Sequence, residues 1–475
     1  MIKQLLLNSI FLLGTLISYA QWQPDVRLTN DPALSATTAY SNARCIASSG
    51  DTVHVVFRDN RLGGNYEIFY KRSVDGGLTW GPDTRISNNV FFSSNPSISI
   101  SGSVVLVVWE DNRDGATAQD YQIYYNRSSD GGNSWGTDMR LTYDATDAEN
   151  PSVAASGLVV LVVWNHRDAS SYTGIYYKRS VDGGISWGDE NHLDGKWFPV
   201  VSLSGQVAHL VWTDQLGVNP GIYYNRSTDG GITWGVAVPL TINDVAYSDS
   251  PSLAVSGSDV NVVFRDSRNS TGTGYEIFYK HSTDGGLSWS ADKQLSNSNV
   301  TVYNPSVSVS GSGVHAVWTD NHEGIFKIYY DGSADGGLSW ETVKPLSTGS
   351  AVSFYPFVSS SGSAVHVIWQ DNRDGNYEIY YKRNATGNPV GMDEVLSSRN
   401  PIRISPNPFA NEITVTNNVN EPCEIRIYDI TSRKTIQKKF AGTATLNTSS
   451  LKKGIYIFEV RYNNTILRKG KIIKD

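Results

Sequence analysis

The stretch SVDGGLTW, Ser73 to Trp80, decides how the rest of the chain is read. It returns as SSDGGNSW from Ser128, SVDGGISW from Ser180, STDGGITW from Ser227, STDGGLSW from Ser282 and SADGGLSW from Ser333. A carboxylate, a hydroxyl and an indole at fixed spacing have the makings of a reaction centre. Six equivalent copies argue for a joint instead, because one active site does not need six aspartates. As a turn, the motif is chemically complete. Gly76 and Gly77 supply backbone angles that other residues resist, Asp75 accepts hydrogen bonds from the turn's own amides, and the Ser or Thr hydroxyl ties the same turn.

Outward from each Asp-Gly-Gly the similarity extends over roughly 50 residues, a period typical of repeat arrays and propellers. Four strand-like pieces recur. The first follows a pair such as Asn95-Pro96 (NPSISIS) and ends in a Ser-Gly turn. The second is an apolar run ending in Phe57, Trp109, Trp164, Trp212, Phe264, Trp318 or Trp369, and such unbroken Val-rich runs suit strands buried on both faces. The third is EIFYKRS from Glu67 and its equivalents, down to EIYYKRN from Glu378. The repeated turn then leads into a fourth, such as TRIS from Thr84 or MRLT from Met139.

Second and third strands each occur seven times, but only six fourth strands follow a third. The missing one lies at the other end: DVRLT, Asp25 to Thr29, closely resembles DMRLT, Asp138 to Thr142. The count predicts an all-β, seven-bladed β-propeller over residues 21–388, closed by its N-terminal strand so that no radial edge stays unpaired.

The pattern Ser/Thr-x-Asp-x-Gly-x-Ser/Thr-Trp resembles the Asp-box, or bacterial neuraminidase repeat, of sialidase-like propellers. The resemblance spans about Asp25 to Arg383. It implies that Asp75, Asp130, Asp182, Asp229, Asp284 and Asp335, with Trp80, Trp135, Trp187, Trp234, Trp289 and Trp340, are structural and lie away from the working face. Propellers of this kind include sialidases, other glycoside hydrolases and binding proteins, so fold alone does not select a function.

The opposite end carries a second repeated cluster just after strand two: FRDNR, WEDNRD, WNHRD, WTDQ, FRDSR, WTDNHE and WQDNRDG. Two readings fit it. In one, Asp59, Arg61, Asp111, Arg113, Arg167, Asp266, Arg268, Asp320, Asp371 and Arg373 hydrogen-bond a polar ligand such as a sugar. In the other, each aspartate organises its own loop and pairs with a neighbouring arginine, which is what repetition in nearly every unit favours. Tyr247, Tyr303, Phe354, Tyr355, Trp197 and Phe198, beside the links into strand one, are candidates for stacking on sugar rings.

Sialidases clamp a carboxylate with three arginines, one of them in an Arg-Ile-Pro motif. Here the nearest string is Arg85-Ile86-Ser87, on a fourth strand, and Arg44 is the only arginine at the start of a first strand. Sialidase domains also have six blades where this repeat counts seven. These departures favour binding of glycans or other extracellular polymers over catalysis, with a sialidase-like glycoside hydrolase as the alternative and a protein-binding or adhesive scaffold as a third reading. No cofactor or metal is expected: His54, His315 and His366 share one strand-two position, and Asp371-Asn372-Arg373-Asp374-Gly375 puts an arginine where a calcium loop needs oxygen.

The ends of the chain address export. Residues 1–20 combine Lys3, an apolar run from Leu5 to Ile17 and a small-residue end at Ala20, as expected of a signal peptide, and no later segment is apolar enough to span a bilayer. Two cysteines, Cys45 and Cys423, make a disulfide framework improbable. From Arg399 onward 14 Lys/Arg face 6 Asp/Glu (+8), whereas the preceding part has 25 against 40 (−15), so the two are separate modules and the acidic one is no nucleic-acid binder. Residues 389–400 are the expected linker, and 401–475 alternate like a small immunoglobulin-like β-sandwich. Pro406-Asn407-Pro408, the IYDI string from Ile427 and LKKGIY from Leu451 resemble the type A C-terminal sorting domain of type IX secretion cargo. That resemblance implies the type IX machinery as a partner and a protein released or held at the outer cell surface.

Overall fold

The computed structural model describes residues 22–38, 43–115, 120–143, 147–167, 172–195, 197–214, 219–241, 246–269, 274–298, 300–387, 402–405, 409–417, 423–429, 433–462 and 465–474. The expected signal peptide, the linker and Pro406-Asn407-Pro408 lie outside them. All regular structure among the described residues is β, and no helix is long and apolar enough to cross a membrane. The chain forms two compact units that divide between Pro389 and Val390.

Seven antiparallel sheets make up the first unit. In the first, β2 (Ser35–Ala36) and β3 (Ile46–Ser49) both pair with β4 (Thr52–Asp59), followed by β5 (Glu67–Ser73) and β6 (Thr84–Arg85). Five four-stranded meanders follow, with second strands Val104–Asp111, Val159–Arg167, Val207–Asp214, Asp259–Asp266 and Gly313–Asp320. The seventh sheet takes Ser353–Ser361, Ala364–Asp371 and Glu378–Asn384 from its own repeat and β1 (Val26–Arg27) from the N-terminal end.

That borrowed strand is short but well anchored. Val26 lies opposite Tyr381 and Arg27 opposite Tyr380. The Arg27 guanidinium meets Glu378 at 2.6 Å, and Asp25 accepts from both Arg373 and Lys382 at 2.7 Å. Thr29 Oγ1 donates to Glu378 Oε2 at 2.5 Å and accepts from the Ile379 amide at 2.8 Å.

Sheets are joined to one another at two radii. Near the centre, Val153 N donates to Ser97 Oγ (3.3 Å), Val201 N to Ser152 Oγ (3.2 Å), Val307 N to Ser252 Oγ (3.2 Å) and Val358 N to Ser306 Oγ (3.3 Å). The seventh sheet reaches the first through Ser48 and Ser359 (2.7 Å), and the innermost strands of all seven line one narrow cavity of about 160 Å³. Farther out, each Asp-box docks on the preceding sheet. Trp80 packs edge-on to Tyr381 at 4.9 Å, Trp135 to Tyr70 at 4.8 Å, Trp289 to Tyr224 at 4.9 Å and Trp340 to Tyr279 at 4.8 Å.

Within the turn, Asp75 accepts from the Leu78 and Thr79 amides and from both neighbouring hydroxyls. Those bonds, the Thr79 hydroxyl's foremost, hold its carboxyl far below the usual range. Gly77 has φ +88°, and a Cβ there would sit 1.8 Å from the Tyr381 hydroxyl, so only glycine lets the turn close on its neighbour.

The second unit has a three-stranded and a four-stranded antiparallel sheet sharing one core, in which Ile413, Val415, Ile425, Ile427, Phe458 and Val460 are buried. Both cysteines are buried, one in each unit.

Replacing Thr29 by Val removes both hydrogen bonds of a fully buried hydroxyl while keeping its shape. It should lower unfolding stability by ~1–3 kcal/mol, read as a lower urea midpoint at unchanged slope. An unchanged midpoint would show that β1 does not hold the seventh sheet.

Candidate functional site

One end of the ring of sheets is irregular for a reason visible in the backbone. In six innermost strands a residue before proline takes a left-handed conformation: Asn95 (φ 47°), Asn150 (57°), Phe198 (54°), Ser250 (53°), Asn304 (51°) and Tyr355 (52°). Proline donates nothing to a ladder, and the register shifts at this point in each of these strands. Such conformations are costly for non-glycine residues and persist only where surroundings impose them. The bulges turn these residues toward the mouth of the ring.

Beside them the repeated aspartates are engaged within their own sheets. Asp59 accepts from the Arg61 amide (2.8 Å), its guanidinium (2.7 Å) and Ser35 (2.6 Å). Asp111 with Arg113 and Ser93, Asp266 with Arg268 and Ser248, and Asp371 with Arg373 and Ser353 repeat the arrangement. In the sixth sheet His322 replaces the arginine beside Asp320. Each arginine lies over a ring of strand three, Arg61 on Phe69 at 4.5 Å, Arg113 on Tyr124 at 4.3 Å, Arg268 on Phe278 at 4.8 Å and Arg373 on Tyr380 at 4.2 Å, and reaches a strand-four aspartate. Their donors and acceptors are used in fastening loop to sheet. Of the arginines and aspartates read from the sequence, Arg167 stands apart: it is half exposed and pairs with Glu149 at 3.0 Å.

Arg167 leads to a different set. The residue directly after each strand-two aromatic is Arg58, Glu110, Asn165, Thr213, Arg265, Thr319 or Gln370, five residue types in seven sheets. Four of the seven keep a buried polar atom without a protein partner: Arg58 Nε, Thr213 Oγ1, Thr319 Oγ1 and Gln370 Oε1. Five Asp-box tryptophans, Trp80, Trp135, Trp187, Trp234 and Trp289, likewise keep an unpartnered Nε1, so what sets this column apart is the change of polar residue from sheet to sheet.

Two members of this column, Arg58 and Glu110, line a cavity of about 290 Å³ together with Asn95, Glu149, Asn150 and Tyr172. Glu110 is buried and accepts from the Asn150 amide (2.5 Å) and from Asn95 Nδ2 (2.8 Å), yet burial outweighs these bonds and pushes its carboxyl up to about 7. Glu149 accepts from the Tyr172 hydroxyl at 2.7 Å as well as from Arg167. Asp147, whose Oδ1 accepts from the Tyr121 amide at 2.5 Å, is held well above the ordinary carboxylate range by burial and by the adjacent Glu149. Arg58 stacks on Tyr66 at 4.8 Å and forms no ion pair among the described residues. The cavity therefore offers a guanidinium with no ion pair among the described residues, amide groups and one carboxyl, Glu110, that holds its proton near neutral pH.

Across the same mouth lies an aromatic tract. Tyr303 meets Phe326 at 5.9 Å, Phe326 meets Phe354 at 4.5 Å and Phe354 meets Tyr355 at 5.7 Å, while Arg265 covers Tyr275 and Tyr303. The histidines point elsewhere. His54, His315 and His366 bond the Tyr70, Tyr330 and Tyr381 hydroxyls inside their sheets, and His209, absent from the sequence reading, does the same with Tyr224 at 2.8 Å. Burial lowers His54 and His209 to about 4. Among the described residues no cluster of three or more His, Cys, Asp or Glu is arranged to hold a metal.

Residues 105–367, more than half of the chain, match the family described as BNR repeat-like domain, and the chain belongs to that family. Residues 403–475 match the secretion system C-terminal sorting domain, so the protein is secreted or attached to the outer cell surface. No curated protein matches the sequence significantly. Among solved structures, an ulvan lyase of polysaccharide lyase family PL25 is similar at 11% identity and TM-score 0.55, over 75% of this chain and 95% of that one. The polysaccharide lyase Uly1 is similar at 9% identity and TM-score 0.52, over 77% and 99%. The Hadza microbial sialidase Hz136 aligns at 14% identity and TM-score 0.43, over 69% and 73%. The likeness to the two polysaccharide lyases is one of fold.

Because folding raises the Glu110 carboxyl from an unfolded value of ~4.3 to about 7, the folded state binds the extra proton. Stability must then fall as pH rises through that window, by up to ~3 kcal/mol from this group. Glu110→Gln should flatten the fall, seen by comparing urea midpoints at pH 5 and pH 8. Equal pH slopes in wild type and variant would remove Glu110 from the account.

Proposed function

We propose that the protein is an extracellular glycan-binding propeller, with the ligand received in the cavity bounded by Arg58, Glu110, Glu149 and Tyr172. One observation carries this reading: the position facing the mouth takes five residue types in seven sheets, and two of them, Arg58 with no ion pair among the described residues and the buried Glu110, line one cavity together. Polyhydroxylated ligands suit amide, guanidinium and carboxyl groups set beside aromatic rings. Seven sheets with β1 in the last support a seven-bladed ring over residues 21–388 behind a signal peptide at 1–20, with 389–400 as linker and 401–475 as an immunoglobulin-like sandwich recognised by the type IX machinery. The polysaccharide lyases of similar fold agree with a glycan ligand without specifying one.

A second reading is glycan cleavage. It is favoured by Glu149, bonded to the Tyr172 hydroxyl and adjacent to the proton-retaining Asp147, since acid–base work needs such groups. A glycan array, run beside fluorogenic glycosides and an assay for unsaturated sugar products, separates the two. Selective binding without turnover, weakened ~10-fold or more by Glu149→Gln, is the expected result. Turnover abolished by that substitution would make the protein an enzyme, and silence throughout would favour a protein-binding scaffold.

Deleting residues 401–475 should leave a folded first unit retained in the periplasm. Normal surface levels of the truncated protein, measured by cell fractionation, would refute the role of the tail as an address.

A further inference from the structure

Six innermost strands place a proline directly after the left-handed residue, and in the first sheet the same register position holds Arg44. The correspondence is fixed by pairing: Ile46 faces Val55 as Ile98 faces Val107, with Arg44 and Pro96 each two residues earlier. Arg44 is thus one cation in a ring of six prolines. It is also the only charged side chain lining the central cavity.

Its charge has little local support. Nη2 donates to the Leu253 carbonyl of the fifth sheet at 2.7 Å, which carries the guanidinium across the channel. Among the described residues no carboxylate pairs with it, and the five residues before it, Ala39 to Ala43, contain no acid. Burial accordingly lowers its proton affinity below the arginine norm. A guanidinium has five N–H donors, and one is spent on Leu253. The lining around it consists of serine hydroxyls, among them Ser99 and Ser202, and aliphatic side chains. Enclosing an unpaired cation is costly unless a counter-charge joins it, and planar N–H forks with hydroxyls suit anions.

We propose that the central channel is an anion site built on Arg44, with serine hydroxyls completing the cradle. The anion has two possible sources, a free halide or oxyanion from the medium or an acidic substituent of a glycan reaching down from the mouth. The site stands independently of the cavity beside Glu110.

The full secreted chain, held at constant pH and ionic strength in gluconate, is titrated with bromide and separately with inorganic phosphate while Tm is followed, and bromide is located in crystals by anomalous scattering. A saturable rise in Tm, with a bromide peak within roughly 3.5 Å of the guanidinium, is expected. Arg44→Met should weaken the response ~10-fold or more, and Arg44→Lys should retain part of it. Oligosaccharides with and without carboxylate or sulfate groups are then added as competitors: competition by acidic ones alone assigns the site to a glycan substituent, and none assigns it to a free ion. A response no greater than that of the gluconate control, or a bromide peak equally strong in Arg44→Met, overturns the proposal. If Arg44→Met does not fold, the position of bromide in wild-type crystals still decides it.

Discussion

The pairing of Val26 and Arg27 with Tyr381 and Tyr380 is the constraint on which the first unit depends. Every other four-stranded sheet can form from neighbouring residues, but the seventh must recruit its outer strand from more than 350 residues earlier. The chain-entropy cost of such a closure grows only logarithmically with length, so it is modest beside the burial it secures. Its kinetic cost is larger, because long-range pairing comes late in folding. The anchors on this short strand are therefore many: Glu378 and Asp25 gather Arg27, Thr29, Arg373 and Lys382 around two residue pairs.

Closure also fixes which loops share an end. Once the sheets are fixed in order, the Xaa-Pro bulges fall at one end and the Asp-box turns at the other. The two ends then carry different demands. At the Asp-box end each sheet must fit the next one closely, so Gly77, Gly132, Gly286 and Gly337 face a tyrosine hydroxyl, Gly184 and Gly231 face Leu106 and Leu161, and a Cβ at any of the six would collide. At the mouth, the residue after the strand-two aromatic meets partners particular to its own surroundings, Tyr66 for Arg58 and Asn95 and Asn150 for Glu110, so no single residue type is imposed on it.

This division explains what was legible in the sequence. The strand count, the borrowed N-terminal strand and the turn chemistry of Asp75 follow from residues that recur, and recurrence is visible in one dimension. The pairing of Asp59 with Arg61 was one of two readings open to the sequence, since i and i+2 residues in a loop can serve a ligand or each other. Their partners Ser35 and Asp83 come from separate strands and become evident only when these are side by side. Of the set around Glu110, only Arg167 and Phe198 were read. Glu149 precedes a left-handed asparagine and Tyr172 lies across a loop, and nothing in their spacing announces that a hydroxyl and two carboxyls converge with Arg167. The available signal for Arg58 and Glu110 was negative: a polar position that takes five residue types in seven repeats.

The two cysteines give this exported chain an unusual relation to its surroundings. Cys45 is fully enclosed, donates to the Pro96 carbonyl at 3.3 Å and has its thiol pushed up to about 12, while Cys423 is enclosed in the other unit. Thiolate, the form that attacks disulfides and reacts with oxidants, is therefore scarce at Cys45 in any ordinary medium. Many secreted proteins depend on an oxidising exterior to lock their covalent staples. This one is held by packing and ion pairs, so the redox state of its habitat is no part of what keeps it folded.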